Sequence, residues 1–84
     1  MLQRSKIYIG NLPFSINKAA IIGLFEIFGN IVDIRVPMNK ETGKKRGFAF
    51  VTFDNQYSAT DALSLNGKEL DGRIIKVDIA QSDA

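Results

Sequence analysis

Four short apolar-rich stretches of the chain read as strands, and apolar positions recur at helical spacing in two others. Lys6-Ile7-Tyr8-Ile9-Gly10 is short and β-branched, and Gly10-Asn11 and Pro13 close it, so it reads as a strand. Asn17 precedes an amphipathic run in which Ala20, Leu24, Phe25 and Phe28 recur at helical spacing with Ile21 on the flank. Gly29 follows where a helix C-terminus favours a left-handed residue, so the spacing predicts a helix from about Lys18 to Phe28. Ile31 to Pro37 reads as a second strand, with Ile34 and Val36 on one face and Asp33 and Arg35 on the other. Asn39 to Lys45 is a polar, turn-rich loop, and Gly47 to Phe53 a third strand. Asp54 or Asn55 can cap a second helix that carries Ala59, Ala62 and Leu63 and ends before Asn66-Gly67. After a turn at Leu70-Asp71-Gly72-Arg73, Ile74 to Ala80 alternates Ile75, Val77 and Ile79 against Lys76 and Asp78, a half-buried fourth strand.

The order is therefore βαββαβ. The short loop between strands two and three allows an antiparallel hairpin. Right-handed crossovers put both helices on one side of the sheet. The expected fold is α+β, a ferredoxin-like sandwich of a four-stranded antiparallel sheet in spatial order 4-1-3-2 with two helices on one face. Residues 5–82 form the expected domain, and 1–4 and 83–84 are short tails. The other sheet face is left open, and side chains that point there are candidates for function.

Composition narrows the chemistry. The 84 residues suit one small core, and 45% hydrophobic with 24% charged residues is a globular balance. Cysteine and histidine are both absent, which removes disulfides, thiolate–imidazole zinc sites and catalysis through either side chain. No catalytic group, metal site or cofactor is expected. No apolar run reaches the roughly 18 residues of a membrane span. Met1 to Lys6 lacks the apolar stretch of a signal peptide. The net charge of +2 does not by itself establish a nucleic-acid partner. Lys40, Lys44, Lys45 and Arg46 do cluster, with only Glu41 against them. Alone, such a run is a solvated loop.

What gives that loop meaning is the strand after it. Neighbouring strand side chains point to opposite faces, so Ala49, Val51 and Phe53 share one face and Phe48 and Phe50 the other. In the first strand, Ile7 and Ile9 oppose Tyr8. The aliphatic sets suit Leu24, Phe25 and Leu63 in a core, which leaves Tyr8, Phe48 and Phe50 on the open face. Placing the two phenylalanines in the core instead would turn Ala49, Val51 and Phe53 to water. An uncovered aromatic patch beside cations suits nucleobases, whose π-faces stack on flat rings.

Arg46-Gly47-Phe48-Ala49-Phe50-Val51-Thr52-Phe53 matches all eight positions of the RNP1 pattern, and Ile7-Tyr8-Ile9-Gly10-Asn11-Leu12 looks like its RNP2 companion. Asp71-Gly72-Arg73-Ile74-Ile75-Lys76-Val77 is similar to the entry into the last strand of the same family. From about Lys6 to Ala80 the chain thus resembles the RNA recognition motif family, in a layout similar to small single-domain bacterial members. The resemblance implies single-stranded RNA as the partner, with single-stranded DNA bound more weakly. Tyr8 and Phe50 would stack on successive bases, Phe48 would pack on the sugars between them, and Arg46 would pair with a phosphate. The bare chemistry assigns the same parts, rings for bases and a guanidinium for phosphate. Gly47 lets the backbone leave the basic loop unobstructed.

Secondary candidates are Arg35, Lys76 and Asp78 on the flanking strands, Gln81 with Ser82 after the last strand, and Lys40, Lys44 and Lys45 as backbone contacts. The bland reading of each is a solvated side chain. Asn11 is a further candidate, although support of the turn after the first strand is its simpler role. The start at Met1 and the short tails suggest a free-standing monomer in the cytoplasm. Small bacterial proteins of this type have that layout, so a bacterial source is preferred, with a nuclear setting for a piece of a eukaryotic protein.

Two rivals differ in kind. Peptide-binding domains of this fold resemble one another in an acidic first helix and an Arg-x-Phe element. This chain has Glu26 as the only acid in that helix and Arg73-Ile74-Ile75 in place of the element. An enzyme would need a nucleophile–base pair or a phosphate-cradling glycine loop before a helix, and neither is present.

Overall fold

The computed structural model describes residues 5–13, 15–37 and 47–80. In chain order they form β1 (Lys6–Gly10), α1 (Lys18–Phe25), a 3-10 turn (Glu26–Phe28), β2 (Ile31–Arg35), β3 (Ala49–Phe53), α2 (Gln56–Ala62), a second 3-10 turn (Leu63–Leu65), and the strands β4 (Glu69–Leu70), β5 (Arg73–Ile74) and β6 (Lys76–Ile79). β2, β3, β1 and β6 make one four-stranded antiparallel sheet in that order, and β4 pairs with β5 in a small hairpin. This is the expected 4-1-3-2 arrangement with the hairpin inserted before the last strand. Among the described residues no helix is long and apolar enough to cross a membrane.

Period-two burial selects the faces. Ile7 and Ile9 of β1, Ala49, Val51 and Phe53 of β3, and Ile75 and Val77 at β6 are buried with Ile21 and Phe25 of α1 and Ala59 and Ala62 of α2. Both helices therefore cover the same face. The small residues of α2, Ser58 included, let that helix approach the strands closely.

Each helix starts where a side chain meets an orphan backbone donor. The Asn17 side-chain oxygen accepts from the Ala20 amide at 2.9 Å, and that of Asn55 accepts from the Ser58 amide at 2.9 Å. Asn55 rather than Asp54 is thus the second cap. α1 stops at Phe25 and tightens into the 3-10 turn before Gly29. Its buried stripe is Ile21 and Phe25, one turn apart, whereas Ala20 is exposed. Gly29 is not the left-handed cap that its position suggested. Its φ of 159° and ψ of −176° lie near the extended region on the positive-φ side, where side-chain-bearing residues are rare, and a Cβ there would also overlap the Ser58 side chain.

The strand boundaries shift for physical reasons as well. β2 ends at Arg35, before Pro37, and the ladder to β3 slips between Ile31 and Asp33. The slip is a bulge that leaves Val32 exposed and lets Ile31 and Ile34 both turn inward. β3 starts at Ala49, not Gly47, whose φ of 83° only glycine adopts freely. Ile74 leaves the last strand, pairs with Glu69 in the hairpin and is exposed, while β6 begins at Lys76. The outer side of β6 is covered locally. The Val77 amide donates to the Asn66 side chain, and Gly67 and Lys68 exchange backbone bonds with Ile75.

Candidate nucleic-acid interface

The site is assembled from the face the helices leave uncovered. The register places Arg35 opposite Phe50, Phe50 opposite Tyr8, and Tyr8 opposite Asp78. At a strand spacing of about 4.8 Å, this row spans about 14 Å across all four strands. Tyr8 and Phe50 are half-buried, as alternation with the buried Ile7, Ile9, Ala49 and Val51 requires. Phe48, just before β3, is half-buried beside them.

The three rings form one cluster. Their centroids lie 5.9 Å apart for Tyr8–Phe48, 5.8 Å for Tyr8–Phe50 and 5.8 Å for Phe48–Phe50. These are attractive aromatic separations, and the planes are tilted or edge-on rather than stacked on each other. Each ring is half-buried, so each keeps part of its surface exposed. Ala49 and Val51, by contrast, are sealed in the core, which is the division of β3 that the alternation predicted.

Charged groups frame the rings. Lys6, two residues before Tyr8 on the same face, holds its ammonium 4.9 Å from the Phe50 centroid, within cation–π range. Arg35 Nε donates to Asp33 Oδ2 at 3.2 Å, an exposed pair on β2. Asp78 accepts from the Ile79 amide at 2.8 Å, and Lys76 is exposed beside Gly10. The Lys6 contact is a site feature that motif reading passed over. The same period-two rule that selected Tyr8 also points to it.

Asn11 serves the scaffold. It sits at a φ of 58°, its amide nitrogen donates to the Ile74 carbonyl at 2.8 Å, and its amide oxygen accepts from Arg73 Nη2 at 2.6 Å. The side chain thereby ties the end of β1 to the β4–β5 hairpin. Leu12 donates to the Gly47 carbonyl at 2.8 Å and ties that same end to the start of the RNP1-like strand. Of the other sequence-derived candidates, Lys40, Lys44, Lys45, Arg46 and Gln81 lie outside the described residues.

No described group of three or more histidine, cysteine, aspartate or glutamate side chains is arranged to hold a metal ion. A cleft of about 500 Å³ lies between α1 and the β2 edge, lined by Ile22, Glu26, Ile31 and Val32 among others. None of the three rings lines it. The ring cluster therefore lies on the open sheet face, away from this cleft.

Comparison with known proteins accords with that geometry. The model of the family described as RNA recognition motif matches residues 7–76. Glycine-rich RNA-binding protein 2 of Sorghum bicolor is 45% identical over 76 residues, covering 89% of this chain and 45% of that protein. The 31 kDa chloroplastic ribonucleoprotein of Nicotiana sylvestris is 42% identical over 80 residues, covering 94% of this chain and 25% of that protein. The chain thus spans less than half the length of these curated relatives. Among solved structures, a Sxl-lethal protein/RNA complex superposes with a TM-score of 0.86 at 30% identity, covering 94% of this chain and 49% of that one.

Proposed function

The chain belongs to the RNA recognition motif family, and from that premise we propose that it binds single-stranded RNA on the open face of its sheet. The observation that carries the reading is the cluster of Tyr8, Phe48 and Phe50, mutually within 5.9 Å on the face without helices. Tyr8 and Phe50 stack on successive bases, and Phe48 packs on the intervening sugars. Arg46 pairs with a phosphate, and Lys40, Lys44 and Lys45 hold the backbone. Arg35, Lys76, Asp78 and Gln81 contact base edges or phosphates at the margins. Asn11 contributes by holding the end of β1, since both ends of its amide are engaged. The binding unit is residues 5–82, acting as a monomer.

The activity is recognition rather than catalysis, as the RNA-binding and ribonucleoprotein names of the relatives also describe. A peptide-binding role for the same face is disfavoured by the retained rings. Rings and cations also accept single-stranded DNA, more weakly where a 2′-hydroxyl contact is lost. The relatives named above are plant proteins, one of them chloroplastic, so they lend no support to the expected bacterial preference. We place the activity in the cytoplasm or an organelle.

The test is a titration of the protein with short random-sequence RNA and with DNA of the same length, beside Phe50→Ala. RNA is expected to bind more tightly than DNA. Phe50→Ala should lose about 1–3 kcal/mol of binding while keeping its melting transition. Unchanged binding by that variant would remove the stacking platform. Capture of a peptide by this face with no affinity for RNA would favour the rival.

A further inference from the structure

Gly10 closes β1 in an ordinary ladder position opposite Lys76. It is not among the glycines with positive φ, which are Gly29, Gly47, Gly67 and Gly72. Its backbone therefore gives no reason for glycine, and glycine in a strand gives up side-chain packing and costs conformational entropy. The reason is spatial. A Cβ on Gly10 would stand 2.6 Å from Tyr8 Oη, 2.9 Å from Cε1 and 3.0 Å from Cζ. Gly23 in α1 provides the contrast, since a Cβ there would meet nothing within 4 Å.

Tyr8 and Gly10 are two residues apart in one strand and share a face. The contacts show that the Tyr8 side chain runs along β1 and lies down over Gly10. A ring lying on the backbone turns one face outward, whereas a ring standing upright would offer mainly an edge. Only the face stacks on a base. Gly10 is buried although no helix covers its side of the sheet, in keeping with a ring placed above it.

We propose that Gly10 is a positioning residue for base recognition: the space it leaves empty sets the tilt of Tyr8 and so forms the first stacking seat. This rests on the open-face RNA reading above. The hydroxyl is thereby carried along β1 to Gly10, whose ladder partner on β6 is Lys76. A Cβ at position 10 pushes on the far end of a side chain rather than on backbone, so Gly10→Ala keeps the fold and displaces the ring.

The experiment compares Gly10→Ala with Gly23→Ala in two backgrounds, one with Tyr8 and one with Tyr8→Ala. Affinity for short random-sequence RNA is measured in each, with thermal melts. Gly10→Ala is expected to weaken binding about fivefold or more where Tyr8 is present, within the span of a lost stack, and to change nothing further in Tyr8→Ala. Gly23→Ala is expected to leave affinity unchanged. An equal loss in both backgrounds, or no loss in either, overturns the proposal. Ring placement is read separately by nuclear Overhauser contacts between the Tyr8 ring protons and the Gly10 α-protons in the free parent. These must be present, and the Tyr8 contacts to Phe48 and Phe50 must change in Gly10→Ala. A parent that shows the contacts but binds no RNA refutes the open-face function and leaves the ring geometry standing. Absence of the contacts refutes the positioning role whatever the affinity.

Discussion

Phe50 combines the roles that a side chain at this site must hold together. Its backbone pairs with Tyr8 on one side and Arg35 on the other, its ring touches two other rings, and Lys6 holds a cation near its face. Under the proposed function, a base stacking on Phe50 shares that ring with the Lys6 ammonium. Lys6→Met is expected to weaken RNA binding at low salt and to flatten the salt dependence, because each phosphate neutralised contributes about 0.7 to the slope on a single strand. An unchanged slope in a salt titration would show that Lys6 serves the ring alone. Asp33 acts in the opposite sense by engaging Arg35. The pair is exposed, so its loss should alter stability by no more than about 1 kcal/mol. Asp33→Asn should tighten RNA binding at low salt by freeing the guanidinium and removing a like charge from the phosphate path, as measured by titration beside the parent.

At the scale of elements, the site depends on how tightly the helices sit on the opposite face. α2 carries Ser58, Ala59 and Ala62 inward, and Ser58 faces Gly29 at the end of the first 3-10 turn. Gly29→Ala should destabilise the fold by about 1–3 kcal/mol through overpacking and its positive φ. In a thermal melt, Ser58→Gly should recover the part of that loss due to the clash, and the part due to the positive φ should remain. Asn55→Ala removes the α2 cap and should cost about 1 kcal/mol by denaturant unfolding. These elements were unevenly legible in the sequence. The first cap, the choice of Asp54 or Asn55 for the second, and the strand alternation follow from residue type and spacing, which act over a few neighbours. The bulge at Val32 and the departure of Ile74 into a hairpin do not, because each is set by pairing with a distant strand.

For the molecule as a whole, the buried core and the ring cluster proposed to bind RNA occupy opposite faces of one sheet. Phe25 is fully buried at the centre of the helix-covered face. Phe25→Ala should cost about 3–5 kcal/mol, a large part of the margin of a small domain. Chemical unfolding of that variant should show the loss, whereas Phe50→Ala should move RNA affinity with little effect on the unfolding midpoint. If both variants lost stability alike, the two faces would not be separable in this way.

The chain's own pattern determined which residues could share a face. Period-two alternation separated Tyr8, Phe48 and Phe50 from Ile7, Ile9, Ala49 and Val51, and the βαββαβ order put the helices on the aliphatic side, because strand geometry and crossover handedness are local and chiral. Only the tertiary structure decided how those side chains lie against one another. The recumbent Tyr8 ring over Gly10, the Lys6 ammonium near Phe50 and the anchoring of Asn11 on the hairpin are contacts through space. Spacing along a chain says where a side chain starts, and packing against its neighbours says where it comes to rest.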